Sequence, residues 1–476
     1  MKQRAGRSER MSKVDTAWLR MDSASNLMMI IGVWTLRPGI RHADLCARMQ
    51  ERLLQYDRFR QRVEEDATGS RWVDHEVDIS EHVVRERLPK TRAGGAQAAL
   101  QQRIGELAMQ PLDRTRPLWQ MHLVEDYEGG SALVVRIHHC IADGIALIAV
   151  TMSLVDGGDA PPPRRARKEA AEGPEAWLSD TLVKPFTDVA LKALDAAGEG
   201  AARSLQLLLD PKQGMAGSLE VARLAYQVLG DAAAMALMPD DSPTRLKGKP
   251  GNAKRVAWCP PLPLDEVRVV GKALGASIND VLLSCVAGAI GQYLRAQGDP
   301  VAGVEIRAMI PVNLRPLEQA HKLGNRFGLV PLVLPVGIEN PVERLYEVRR
   351  RMQALKGSTQ PLLAFALLAV AGLLVKPAQD ALLALFGRKT TAVMTNVPGP
   401  REKLRFLGST LEQTMFWVPA SGDIGLGVSI LSYGGGVQFG VITDTALCPQ
   451  PQRIIDQFAP EFDRLAWLTL MLPWGD

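Results

Sequence analysis

At Asp156 the chain changes character. Residues 156–174 hold three consecutive prolines, Pro161 to Pro163, followed by the basic run Arg164-Arg165-Ala166-Arg167-Lys168. Proline fixes φ and removes a backbone donor, so such a segment interrupts packed structure and reads as an exposed linker. Alanine- and leucine-rich helical sequence follows to about Met238, and a polar loop at 239–252 closes the section. The 476 residues therefore divide into a first half (1–155), a crossover (156–252) and a second half (253–476). That division agrees with two to three domains of roughly 150 residues each.

Both halves alternate between strand and helix patterns. In the first, Met29–Leu36 is strand-like, Ala43–Gln55 has helical spacing, Ala132–Ile137 is an apolar strand and Gly144–Leu154 a buried helix. In the second, Leu264–Leu274 and Ser277–Leu294 are helices, and Ile306–Pro311 and Leu329–Leu334 are strands. Val428–Tyr433, Gly434-Gly435-Gly436 and Val437–Val441 form a strand–turn–strand hairpin. The fold class is α/β (α+β), with no fixed-period repeat.

Composition excludes several function classes. Lys and Arg number 56 against 52 Asp and Glu, a net charge of +4 that is too weak to imply a nucleic-acid partner. Five scattered cysteines, with no CxxC and an odd total, make neither a disulfide framework nor a zinc site, and fit a reducing cytosol. The basic start, Met1 to Arg10, has no apolar stretch behind it and is not a secretory signal; an arm on anionic lipid and a frayed, solvated end are both open. Ser358–Val375 has no charge, and its apolar part, 361–375, is short of the about 20 residues that a bilayer span needs. A core helix, a membrane-surface helix and a span are its three readings, and no clear transmembrane helix is present.

The most informative segment for chemistry is His138-His139-Cys140-Ile141-Ala142-Asp143-Gly144, between an apolar strand and an apolar helix. Strand-to-helix loops are favoured places for site residues. An imidazole can take a proton from a hydroxyl near neutral pH. Adjacent histidines on extended backbone point to opposite faces, so one of them faces a given pocket and the pair does not chelate one metal. Asp143 suits two roles, orienting an imidazole or capping the following helix. On spacing alone, catalysis and structural polarity both remain open.

The pattern HHxxxDG does not stand alone. Met11 to Trp18 with Asn26-Leu27-Met28, Pro117-Leu118-Trp119, His138 to Gly144, Asn279-Asp280-Val281, Pro311 to Arg315, Gly324-Asn325 and Thr395 to Pro400 occur in that order. Together they resemble the bacterial wax ester synthase/acyl-CoA:diacylglycerol acyltransferase (WS/DGAT) family, within the CoA-dependent acyltransferases that share an HxxxD motif. The resemblance implies two chloramphenicol-acetyltransferase-like domains with a tunnel at their interface, CoA entering one mouth and the acceptor the other. It implies an O-acyltransferase moving a long-chain acyl group from acyl-CoA to a fatty alcohol (wax ester) or diacylglycerol (triacylglycerol), without an acyl-enzyme. No cofactor is bound, acyl-CoA is a co-substrate, and no metal is expected.

By the same resemblance His139 is the general base and Asp143 is structural, paired with an arginine; Arg315 is the candidate and Arg307 the fallback. Gly144 allows close backbone approach. His138 either shapes the turn or contacts substrate. Asn279 and Asp280 open a helix, as caps or as support for the site. Pro117-Leu118-Trp119 reads as a packed corner, Thr395 to Pro400 as a turn, and Trp417 to Gly425 stands in place of the superfamily's DFGWG signature. Cys140 is discounted as a nucleophile. The expected location is cytoplasmic, peripheral to a membrane or lipid inclusion through 361–375. Rivals are another HxxxD acyltransferase with a different acceptor or a carrier-bound donor, and a non-catalytic lipid-droplet or membrane-binding protein.

Overall fold

A computed structural model describes residues 8–66, 69–89, 95–159, 238–314, 323–355, 364, 379–380 and 387–471. The expectations for Arg315, for the crossover helices and for 361–375 apart from Ala364 lie outside the described residues.

The first half runs β1 (Ser8–Arg10), α1 (Lys13–Arg20), β2 (Met29–Arg37), α2 (His42–Glu51), β3 (Gln61–Asp66), β4 (Gly69–Asp74), α3 (Ile79–His82), β5 (Val83–Glu86), α4 (Ala96–Ala108), β6 (Trp119–Tyr127), β7 (Gly130–His138) and α5 (Gly144–Leu154). The second half begins with β8 (Lys254–Trp258), β9 (Leu262–Pro263), α6 (Leu264–Ala273), α7 (Ile278–Ala296), β10 (Ile306–Asn313), β11 (Phe327–Leu334) and α8 (Pro341–Leu355). It continues with β12 (Ala392–Pro398), β13 (Arg405–Phe406), β14 (Ser409–Trp417), β15 (Leu426–Tyr433), β16 (Gly436–Asp444) and α9 (Gln452–Leu470).

Local chemistry explains the boundaries that matter for the site. Ser12 caps α1 by accepting from the Asp15 N–H at 3.1 Å, and residues 14–19 are all buried. Ser277 and Asp280 form a reciprocal capping box at the start of α7, which is buried on almost every side. The helix expected over 43–55 ends at Glu51, and two short 3-10 turns take its place at Leu53–Gln55 and Asp57–Phe59. Leu118 and Trp119 form the packed corner: the Trp119 indole N–H donates to the Phe59 carbonyl at 2.9 Å and its ring stacks on His82.

Two sheets dominate. The first has the order β13-β14-β2-β7-β6-β5, the second β11-β10-β12-β15-β16-β8, with β9 also on β16. β14 runs antiparallel to β2 from Thr410 to Trp417, so the second half contributes two strands to the first half's sheet. In the second sheet β10 and β12 pair only at Ala308↔Ala392 and Met309↔Val393. Beyond that point β12 continues on β15 alone, from Thr395↔Ser429 to Pro398↔Ser432. Thr395 to Pro398, expected as a turn, is therefore strand. Parallel pairing to β15 holds it extended, and Pro398 ends the strand where no described strand pairs on its other side. The splaying of β10 from β12 opens the interior of the molecule.

Candidate active site

β7 ends at His138, and the chain there is tied to the second half. The Asp143 N–H donates to the Gly324 carbonyl at 3.4 Å and the Gly324 N–H to the Ile141 carbonyl at 3.1 Å. Gly324 has φ +104°, a conformation that favours glycine. This clamp brings 138–144 against 324–326, segments at least 180 positions apart in sequence.

The two histidines diverge. His138 turns inward: its Nε2 lies 3.3 Å from the Asp22 carboxylate, and its Nδ1 accepts from the Cys140 N–H at 3.2 Å. His139 lines a cavity of 320 Å3 that also touches Trp18, Gly144, Thr395 and Phe416. The cavity follows the gap between β10 and β12, with Met309 and Pro311 on one side and Val393 and Val397 on the other. Asn26 fastens the 417–425 loop over it by donating to the Gly422 carbonyl at 2.8 Å. Ala364 also lines it.

His139 is held on three sides. The Trp18 indole stacks on it with ring centres 4.2 Å apart and planes within 13°. Phe327 lies tilted at 5.4 Å. Its Nδ1 is 2.8 Å from Asn325 Oδ1. The identity of that Asn325 atom follows from the other end of the amide: Nδ2 meets two acceptors, Asp15 Oδ1 at 2.8 Å and the His139 carbonyl at 2.7 Å. The oxygen therefore faces Nδ1, Nδ1 carries the hydrogen, and Nε2 keeps its lone pair. Burial disfavours the imidazolium and holds the pKa of His139 down at about 4.

Asp143 takes the capping role, one of the two considered for it. One oxygen caps α5 by accepting from the Ala146 N–H at 2.9 Å, and the other accepts from the Arg326 backbone N–H at 2.9 Å. The fallback Arg307 lies elsewhere: its N–H donates to Asp241 and its guanidinium to the carbonyls of Pro239 and Lys389. A Cβ at Gly144 would meet no atom of the described residues within 4 Å, so the missing side chain there leaves cavity space. Asn279 is exposed and accepts from Asn396, which lines the cavity. Asp280 serves the capping box. Burial pushes the Cys140 thiol well above its ordinary pKa, leaving it un-ionised.

Asp15, Trp18 and Asn325 carried no individual role in the sequence reading. Each sits inside a recognisable motif, but nothing along one sequence signals that positions 310 residues apart meet.

A passage shared by two α/β halves, with one buried and neutral imidazole beside it, suits acyl transfer to a hydroxyl. Comparisons with known proteins agree. Residues 11–282 match the wax ester synthase/diacylglycerol acyltransferase catalytic domain and 323–466 the WS/DGAT C-terminal domain. A Mycobacterium tuberculosis protein described as a probable diacylglycerol O-acyltransferase is 28% identical over 407 residues, 83% of this chain and 82% of its own length. The wax ester synthase/diacylglycerol acyltransferase of Marinobacter aquaeolei VT8 superposes with TM-score 0.65 at 20% identity, covering 97% of this chain and all of that one. The first condensation domain of the calcium-dependent antibiotic synthetase shares the fold at TM-score 0.57 and 14% identity, over 98% of this chain and 97% of its own. The chain belongs to the wax ester synthase/diacylglycerol acyltransferase family. It is an O-acyltransferase that moves an acyl group from acyl-CoA to the hydroxyl of a fatty alcohol or diacylglycerol.

Proposed function

We propose that His139 Nε2 is the general base of this acyl transfer. The observation that carries the reading is the orientation of the Asn325 amide, which leaves the lone pair on the nitrogen that can face the cavity. Nε2 takes the proton of the acceptor hydroxyl as its oxygen attacks the thioester carbonyl of acyl-CoA. The tetrahedral oxyanion then collapses, the carbon–sulfur bond breaks, and the imidazolium returns the proton to the departing CoA sulfur. Acyl transfer is direct. Asp143 and His138 shape the loop, Gly144 leaves room for the reacting groups, and Asn279 steadies Asn396 at the cavity wall. Acyl-CoA is a co-substrate, with no resident cofactor.

The pH dependence tests this assignment. With its pKa near 4, His139 stays neutral, and base-competent, well below the ordinary imidazole range. The acid limb of kcat/KM is expected near pH 4 rather than near 6.5. A limb at 6.5 or above would exclude His139 in this environment as the group that titrates. The same shift sets a stability trend. Above pH 6.5 the contribution is complete; as pH falls from 6.5 toward 4 the unfolded chain takes up a proton that the native state refuses, and stability is lost.

The water-insoluble acceptor requires a lipid surface. Among the described residues no single helix is long and apolar enough to cross a membrane. The end of α9 supports peripheral contact instead: Trp467, Leu470 and Met471 are 72%, 66% and 81% exposed and share one helical face. In flotation with phospholipid vesicles the intact protein should rise with the lipid. A Trp467→Ser, Leu470→Ser, Met471→Ser variant should stay in the dense fraction. Equal flotation of the two would remove α9 as the lipid contact.

A further inference from the structure

We propose that Asp15 is a positioning residue that fixes the tautomer of His139 through Asn325. The inference rests on the reading of His139 as base and adds to it the group that makes Nε2 the basic nitrogen. Asp15 is only 4% exposed, in the first turn of α1. The cap of that helix is supplied by Ser12, so the helix does not itself need a buried carboxyl group. Burial raises the pKa of Asp15, and the donors around it, Asn325 first, counter only part of that rise.

One oxygen of Asp15 accepts twice from the same residue: from the Asn325 backbone N–H at 3.1 Å and from its Nδ2 at 2.8 Å. The first bond fixes where Asn325 sits, and the second fixes which way round its amide lies. Turned by 180°, the amide would set its oxygen against two acceptors, Asp15 Oδ1 and the His139 carbonyl. It would also present an N–H to His139 Nδ1. The imidazole hydrogen would then have to sit on Nε2, which would become a donor and lose its use as a base. Trp18, one turn along α1 from Asp15, stacks on the ring and fixes its plane. Helix α1 thus supplies both the ring's plane and, at one remove, its protonation pattern. Asn325 from the second half carries the signal across the interface, so the base is set only when the two halves are closed on each other.

The test compares Asp15→Leu, Asp15→Asn and Asn325→Ala with the full-length wild type. Asp15→Asn keeps an acceptor oxygen for both Asn325 donors, and it is expected to keep the Nδ1–H tautomer and a kcat within severalfold of wild type. Asp15→Leu removes the acceptor and is expected to lose kcat by roughly 10²–10⁴-fold, the span that a correctly poised base contributes, with KM for acyl-CoA little changed. Asn325→Ala is expected to behave like Asp15→Leu and serves if the leucine variant does not fold. Tautomers are read from the ring 15N resonances of histidine-labelled protein, with His139 assigned by its loss in His139→Gln. Full kcat with unchanged 15N shifts in Asp15→Leu or Asn325→Ala would overturn the proposal. So would an Asp15→Asn protein as inactive as Asp15→Leu while still Nδ1-protonated, since charge and not orientation would then matter. Retained activity in His139→Ala is a separate result, and it would overturn the reading of the base itself.

Discussion

Purified protein given palmitoyl-CoA with hexadecanol or dioleoylglycerol should form wax ester or triacylglycerol, and His139→Ala should lose that product by at least about 10²-fold. The loss follows from removing the one imidazole that lines the cavity among the described residues. Without Nε2 the hydroxyl must attack as a neutral alcohol and the CoA sulfur must leave unprotonated. Products should be read as lipids by mass spectrometry, because a thiol dye would also read the protein's own cysteines, of which Cys46 is partly exposed. His139→Ala opens space between Trp18 and Phe327, so circular dichroism has to show that the protein is still folded. Wild-type product under both acceptors also ranks alcohol against diacylglycerol. Equal product from wild type and the variant would reject His139 as the base.

The largest effect on stability is expected at Glu461→Ala. Glu461 on α9 pairs with Arg344 on α8, and each side chain is 1% exposed. Arg344 also donates to the Ser284 carbonyl at 3.0 Å and the Ile338 carbonyl at 2.9 Å, while Arg464 and Gln292 serve the other oxygen of Glu461. The space for this pair is made by Gly288 on α7, where a Cβ would collide with Glu461 Oε2. Removing the carboxylate leaves a guanidinium buried without its counter-charge, which costs about 3–5 kcal/mol. Urea denaturation of Glu461→Ala should show a loss of that size, and Arg344→Met combined with Glu461→Leu should recover most of it, since replacing both charges by apolar groups is often neutral. A loss under about 1 kcal/mol for Glu461→Ala would mean that water reaches the pair.

Much of the architecture is legible in the sequence because it is local. The short apolar runs of Met29–Leu36 and Ala132–Ile137, the longer one of Gly144–Leu154 and the glycine turn at 434–436 each report their own structure, and all are present. The divergence of His138 and His139 is the outcome expected for adjacent side chains, although the strand ends at His138 and His139 opens the turn. Thr395 to Pro398 misled because proline and glycine mark turns only where no neighbouring strand holds the chain extended. What Gly144 makes room for is not legible in sequence, because a glycine's missing side chain says nothing about whether a backbone or a cavity lies beside it.

By itself the sequence determined two α/β halves, the histidine-bearing loop between strand and helix, and the family. These depend on residues near one another along the chain, where spacing is enough. Only the tertiary structure decided which strands the second half lends to the first half's sheet, that β10 and β12 part to form the cavity, and that Asp15, Asn325 and His139 meet in one line of hydrogen bonds. Those contacts join positions as far as 310 residues apart. They exist because closing the two halves buries polar groups that must find partners in each other. The chemistry of His139 is thus written in one half and given its direction by the other.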